Sequence, residues 1–304
     1  MKLRGLLALL AGIILFSTIE VTSKLMQIGG GNTAGKYPFW LAFFRFFGTG
    51  VILFIPAMHR LRRNQIRLTG HDLKKLAGLG VVGVTLMSGL YHLSLTYLPA
   101  NVAALVFSCN PVFVVLFAPF FLSEKITVRK LIAVGLCLSG ILILAKDHTD
   151  GISVTGLWLM LVAIITFAFY TIFFKKMTPR YGALPVTAFA SLFGGLPLLL
   201  IACATEGVPL AAYGAGDWIG IAWLTIFATA VAYFLYIYGI GHVEAGTGSM
   251  AFFLKPFLAA LFAWMVLGET LTIPLLIGAA LILTGMVIAL VPARRGNNKP
   301  VPMD

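Results

Sequence analysis

Charge is scarce in this sequence. Of its 304 residues only 11% are Asp, Glu, Lys or Arg, against about a quarter in an ordinary soluble domain, and only 10 are acidic. The segments between apolar runs are short, which leaves no room for a soluble domain. Cysteine is nearly absent as well. Cys109, Cys137 and Cys203 sit inside apolar runs without ligand-like spacing, so they read as small hydrophobes and imply neither disulfides nor a metal site. Enzyme signatures are missing: there is no H-E-x-x-H, no G-x-S-x-G and no Cys/His cluster. The stretch GGNTAGKY (Gly30 to Tyr37) fits the first seven places of a phosphate-binding loop, but Tyr37 stands where a magnesium-binding Ser or Thr is needed. No strand precedes it, so it reads as a turn. The expectation is a non-enzyme with no cofactor and no metal.

Apolar residues are what the sequence has. Sixty per cent are hydrophobic and the mean hydropathy is +1.00. Runs of about 20 apolar residues recur to the end of the chain, the length that crosses a bilayer as a helix. The expected fold is an all-α integral membrane protein with ten spans near 5–26, 38–58, 74–97, 100–122, 128–145, 154–176, 184–204, 216–241, 245–267 and 273–291. Lys2 and Arg4 before an apolar stretch resemble a signal peptide. The stretch runs past the usual length without an A-x-A site, so it is expected to stay as the first helix.

The net charge of +12 belongs to the lipid–water interface, and nucleic acid is not an expected partner. With the N-terminus inside, the inner segments hold Lys2, Arg4, Arg60, Arg62, Arg63, Arg67, Lys74, Lys75, Lys125, Arg129, Lys130, Lys175, Lys176, Arg180, Arg294, Arg295 and Lys299. The outer loops hold Lys36 and Lys146; Lys24, Arg45 and Lys255 lie within spans. A split of 17 against 2 places both termini in the cytoplasm of a multi-pass cell-membrane protein.

The sequence also repeats. NPVFVVLFAPFFLSEKIT (110–127) returns as KPFLAALFAWMVLGETLT (255–272). Pro111 and Pro256, Glu124 and Glu269, Thr127 and Thr272, Gly140 and Gly285, and Tyr91 and Tyr236 are each 145 positions apart. Earlier in each half the offset is 151, as for Gly5 and Gly156, Phe16 and Phe167, Lys24 and Lys175, and Met26 and Met177. The chain divides into repeats 1–149 and 150–293 and a cytoplasmic tail 294–304. Each repeat has five spans. Five is odd, so the second copy enters the membrane inverted, a recurring design of secondary transporters with the substrate site near the midplane. Pro111 and Pro256 fall near the middle of the fourth and ninth spans and predict kinks there, with freed carbonyls at Phe107 and Phe252. Broken backbone at that depth is tolerated against other protein or a wet cavity.

These motifs resemble the drug/metabolite transporter superfamily, EamA type. The residues that carry the resemblance are the FSTIEVTSK end of the first helix, Arg45, the NPVF…LSEKIT and KPFL…LGETLT copies, and the glycine-rich GLCLSGILILAK and GAALILTGMVIAL runs. The resemblance implies two inverted five-helix repeats around a central cavity and movement of small metabolites or drugs without ATP. Two positions depart from the pattern, Glu20 for a usually apolar residue and Lys255 for what is often an acid.

A charge at the centre of a spanning helix costs roughly 2.5–3.5 kcal/mol on insertion scales. Glu20 and Lys24, spaced i, i+4, share a helix side, and Arg45 lies at comparable depth. One acid against Lys24, Arg45 and Lys255 leaves two excess positive charges, which a carboxylate or phosphate on a substrate would balance. The candidate substrate and ion site is therefore Glu20, Lys24, Arg45, His92, Asn110, Tyr236 and Lys255, with Glu20 and Lys255 facing each other and Glu20 the candidate proton carrier. Tyr91, Tyr170, Tyr238 and Trp264 are weaker cavity candidates, because aromatic residues also gather at interfaces. Glu124 and Glu269 read as helix-start chemistry ahead of Thr127 and Thr272. The small residues Gly78, Gly83, Ala100, Ala103 and Ala104 predict close helix packing. The function these residues predict is export of a small anionic or zwitterionic metabolite such as an amino acid, with protons as coupling ion, by a monomer or homodimer. The alternative from another class is an integral membrane enzyme or lipid-handling protein acting on an anionic headgroup.

Overall fold

Leu, Ile, Val, Ala and Phe dominate every long run, and with no water to satisfy the backbone such runs close their hydrogen bonds internally as helices. The computed structural model describes residues 2–28, 32–122, 128–145, 152–240 and 254–290, and every regular element among them is helical. In chain order these are α1 (Lys2–Phe16), α2 (Ile19–Ile28), the short α3 (Thr33–Lys36), α4 (Pro38–Arg63), α5 (Gly70–Gly80), α6 (Met87–Leu95), α7 (Ala100–Phe107), α8 (Asn110–Leu122) and α9 (Val128–Ala145). The second half holds α10 (Val154–Tyr181), α11 (Ala183–Glu206), α12 (Ala215–Ala222), α13 (Ala232–Ile240) and the helices Leu254–Phe262 and Ile273–Leu290. Seven helical stretches of the described residues are long and apolar enough to cross a bilayer, and three shorter apolar ones lie at Leu131–Leu144, Leu254–Leu267 and Ile273–Ile288. The expected ninth span begins in residues 245–253, outside the described residues, as do Phe252, Glu124 and Thr127.

The first expected helix is broken. Ser17 Oγ donates to the Ile13 carbonyl (2.8 Å) and Thr18 Oγ1 to the Leu15 carbonyl (2.7 Å), while Thr18 N–H reaches only Leu15 O. Such back-bonding by adjacent hydroxyl residues tightens and bends a helix. The fourth run breaks at Ser108 and Cys109, just ahead of Pro111. Wider turns interrupt three other runs: π-helical segments occupy Val81–Leu86 between α5 and α6, Trp223–Val231 between α12 and α13, and Ala263–Leu267. Segments of this kind inside α-helices frequently mark functional sites.

The halves exchange contacts. α4 packs on α11 and α9 on the Ile273–Leu290 helix; α1 packs on α13, while α10 packs on α6. At Gly140 a β-carbon would lie 2.8 Å from Gly278 O and 2.8 Å from Ile282, and at Gly285 it would lie 2.8 Å from Ala133 O and 3.0 Å from Cys137. The second set is the first with each partner moved 145 positions. Only glycine allows these backbones to approach so closely.

Two carboxylates cap helices far away in sequence. Glu206 accepts from the Phe39 and Trp40 N–H groups (2.9 and 3.1 Å) at the start of α4. Glu269 accepts from Ala100 and Asn101 N–H (2.7 and 2.9 Å) at the start of α7. The helix-start role expected of Glu269 is thus exerted on a helix of the other half. Each supplies orphan N–H groups with an anion where the helix dipole favours one.

Candidate functional site

The two helix breaks border one cavity of about 400 Å³. Its wall is largely aromatic: Phe16, Phe46, Tyr91, Phe107, Phe167, Tyr170, Phe174, Tyr233 and Tyr236 line it, with Arg45, Asn110, Ser88 and Lys255 as polar members. A mostly apolar wall with a few placed polar groups is the usual form of a small-molecule site. Several lining residues stand at the two sequence offsets, 151 and 145. Phe16 with Phe167 and Ile19 with Tyr170 are 151 apart; Ser88 with Tyr233, Tyr91 with Tyr236, and Asn110 with Lys255 are 145 apart.

Charge breaks this correspondence. Glu20 is 0% and Lys255 3% exposed, and Lys255 Nζ lies 2.8 Å from Glu20 Oε1. Tyr91 OH donates to the same oxygen at 2.8 Å. The Ser17–Thr18 break sets Glu20 in the first turn of α2, where the helix dipole stabilises a carboxylate. Lys255 Nζ also sits 5.0 Å from the centre of the Phe107 ring, close enough for a cation–π contact. The residue 151 positions after Glu20 is the neutral Thr171.

Arg45 is held differently. Its Nε donates to Thr229 Oγ1 at 2.8 Å, and Thr229 donates onward to Leu224 O at 2.7 Å within the π-helical segment. The guanidinium lies 4.9 Å from the Phe46 ring centre, and Nη1 is 3.4 Å from His92 Nε2. A neutral imidazole accepts there, which makes Nδ1 the donor. Among the described residues no ion pair takes Arg45. Glu20 Oε2, Ser88 Oγ, Asn110 Oδ1 and His92 Nδ1 are buried without a hydrogen-bond partner among the described residues, and of these residues Ser88 and Asn110 line the cavity, where each is able to bond a solute.

The structure therefore brings Lys255, Arg45, Asn110 and Tyr236 to one cavity, and Glu20 stands behind its wall, held by Lys255 and Tyr91. His92 stands behind Arg45 and does not line it. Lys24 lies elsewhere: half-buried, it donates to Gln27 Oε1 at 3.0 Å, and Gln27 Nε2 donates to Leu95 O at 3.2 Å. No Glu20–Lys24 pair forms. The positive excess at the cavity falls from two to one. Tyr238 and Trp264 are exposed (41% and 57%) and line no part of it. The sequence offered no sign of Thr229 or Tyr233. Tyr91, whose hydroxyl completes the ion pair, was visible through its repeat partner Tyr236.

The sequence matches the EamA-like transporter family over residues 3–146 and 154–291. The chain belongs to that family. Relatives are named as transporters. An uncharacterized transporter of Clostridium kluyveri is 28% identical, aligned over 97% of this chain and 96% of its own. A probable terminal-alkyne amino-acid exporter of Streptantibioticus cattleyicolor is 26% identical over 73% and 74% of the two chains. A solved crystal structure covers 98% of both chains with a TM-score of 0.65 at 20% identity, a likeness of fold. The EamA assignment makes this a multi-pass membrane protein of a transporter family, with a small molecule as the class of thing carried.

Proposed function

We propose that the chain is a secondary transporter that exports a small anionic or zwitterionic metabolite, such as an amino acid, by alternating access. The carrying observation is the cavity: two cations, one of them paired with Glu20 behind the wall, and the Ser88 and Asn110 oxygens, buried without partners among the described residues, enclosed by aromatic rings. One net positive charge calls for one carboxylate or phosphate. The volume suits a small metabolite, and the exporter name of the Streptantibioticus relative agrees with a zwitterionic cargo.

The proposed architecture is ten spans in two inverted five-helix repeats, 1–149 and 150–293, with 294–304 as a tail. Three observations support it: the family match falls in two stretches, the Gly140 and Gly285 contacts correspond, and cavity residues recur at offsets of 145 and 151. Tyr37, Trp40, Phe44, Tyr213 and Trp218 pack together at the end away from the basic loops. The cavity reaches Val114, Thr171 and Phe174, toward the basic end. Both observations support a carrier open to the side with the basic loops, and the charge distribution supports assigning that side to the cytoplasm of a cell-membrane protein. Glu20 is the candidate proton carrier. The cavity forms within one chain, so either a monomer or each protomer of a homodimer could work.

Orientation has a direct check. A single cysteine placed at Gln65 should resist an impermeant thiol reagent on intact cells, while one at Asn32 should react. The reverse pattern overturns the topology. Substrate class is tested by melting the purified protein with amino acids and small carboxylates. A ligand at a hundred times its Kd stabilises by about 2.7 kcal/mol, so a true cargo should raise Tm in the native protein and leave Arg45→Ala unmoved. Stabilisation only by cations, or an equal shift in the variant, contradicts the reading.

A further inference from the structure

We propose a second binding site, for an anionic diacyl phospholipid, between α5 and the end of α10. A second cavity of about 500 Å³ lies there and shares no lining residue with the central one. Lys75, Lys176 and Arg180 line it together with apolar residues that include Leu79, Val82 and Phe173.

The charges are unequally satisfied. Arg180 Nη2 lies 3.2 Å from Asp72 Oδ2, and Asp72 is further occupied by Tyr181 OH at 2.5 Å and Thr69 N–H at 2.9 Å. Lys75 and Lys176 are exposed, and no ion pair among the described residues takes either. Three cations against one acid leave an excess of two. Lys176 Nζ lies 5.7 Å from the Phe121 ring centre, which draws it toward α8.

Apolar residues stand one turn deeper on both helices. Leu79 follows Lys75 by four residues and Phe173 precedes Lys176 by three, a depth of about 4.5–6 Å along a helix at about 1.5 Å per residue. Val82 continues that wall from the π-helical segment. A free phosphate or a soluble carboxylate would use the cations and leave the wall unmatched. A phospholipid uses both, with its phosphate at the lysines and its chains along Leu79, Val82 and Phe173. Basic pockets between spanning helices at this level are known to take anionic headgroups. The site does not depend on what the central cavity carries.

The experiment is native mass spectrometry of the full-length protein in detergent, titrated with dioleoyl phosphatidylglycerol, dioleoyl phosphatidylcholine or glycerol 1-phosphate. Phosphatidylglycerol should be retained and the other two should not. Lys75→Gln with Lys176→Gln should weaken retention about twenty-five-fold, at roughly a factor of five per basic residue. Lys74→Gln with Lys175→Gln changes exposed neighbours that do not line the cavity and should leave retention unchanged. Equal retention of phosphatidylcholine, binding of glycerol 1-phosphate alone, or equal losses in the two double variants would each overturn the proposal.

Discussion

Arg45→Ala is expected to abolish transport while the protein still folds and inserts. Arg45 is 6% exposed, and no acid among the described residues pairs with it. Its removal therefore strands no buried carboxylate, the event that makes breaking a buried ion pair costly. Thr229 loses one bond but keeps its own to Leu224 O. The space vacated opens onto the existing cavity, so little new void is sealed in. His92 Nε2 loses its bond as well, and a net stability change of about 1–3 kcal/mol is expected, in line with two lost hydrogen bonds. Transport is another matter. Without the guanidinium the Glu20–Lys255 pair is neutral overall, and the cavity has no surplus charge to offer an anion. Were Arg45 a clamp holding α4 to the segment before α13, the variant would instead melt early and express poorly. Normal transport by a stable Arg45→Ala protein would refute the site. Arg45→Lys keeps the charge but loses the planar fork, and should retain only part of the activity.

The second large effect concerns Glu20 and Lys255. Glu20→Gln leaves an ammonium buried beside Phe107 and Tyr91, and Lys255→Met leaves a carboxylate buried with only the Tyr91 hydroxyl. Breaking a buried pair at one end typically costs about 3–5 kcal/mol. The double variant removes both charges and should recover most of that loss, because replacing a whole buried pair by neutral groups is often harmless. Recovery of stability need not restore transport. A double-mutant cycle on unfolding or melting free energies reads the coupling directly, and a value of several kcal/mol is expected. A value near zero would mean that the pair at 2.8 Å contributes nothing, and that Glu20 answers to Arg45 or Tyr91 instead. If Glu20 carries the coupling proton, transport by Glu20→Gln should also lose its dependence on a pH gradient.

The membrane class and the grouping of charges were legible in the sequence because both follow from lipid. Apolar runs of spanning length have few alternatives, and an ionisable residue placed inside one is retained for a partner or a function. Glu20, Arg45 and Lys255 stood out for that reason. The pairing of Glu20 with Lys255 was also accessible, through the family resemblance, which implies that the first helix of one half lies near the fourth of the other. What local rules missed depends on backbone detail. The i, i+4 spacing allowed Glu20 to meet Lys24, yet the break at Ser17–Thr18 turns Glu20 inward, where Lys255 and Tyr91 take it. Lys24, a turn nearer the end, finds Gln27. Thr229 reaches Arg45 from a π-helical segment, and a wider turn inside an apolar run leaves no mark in residue spacing. Glu269 precedes a helix of its own and reads as that helix's cap, while its carboxylate reaches α7 across the chain.

The central claim is that this chain moves a small anion across a bilayer through the cavity of Arg45, Glu20 and Lys255. Counterflow tests it most directly. The protein is reconstituted into vesicles loaded with excess unlabelled amino acid or carboxylate, and the uptake of trace labelled solute is followed. The account predicts transient accumulation of label above equilibrium, seen with the native protein and absent with Arg45→Ala reconstituted to the same level. No counterflow with any anionic or zwitterionic solute that stabilises the protein, or equal counterflow in the variant, would contradict it.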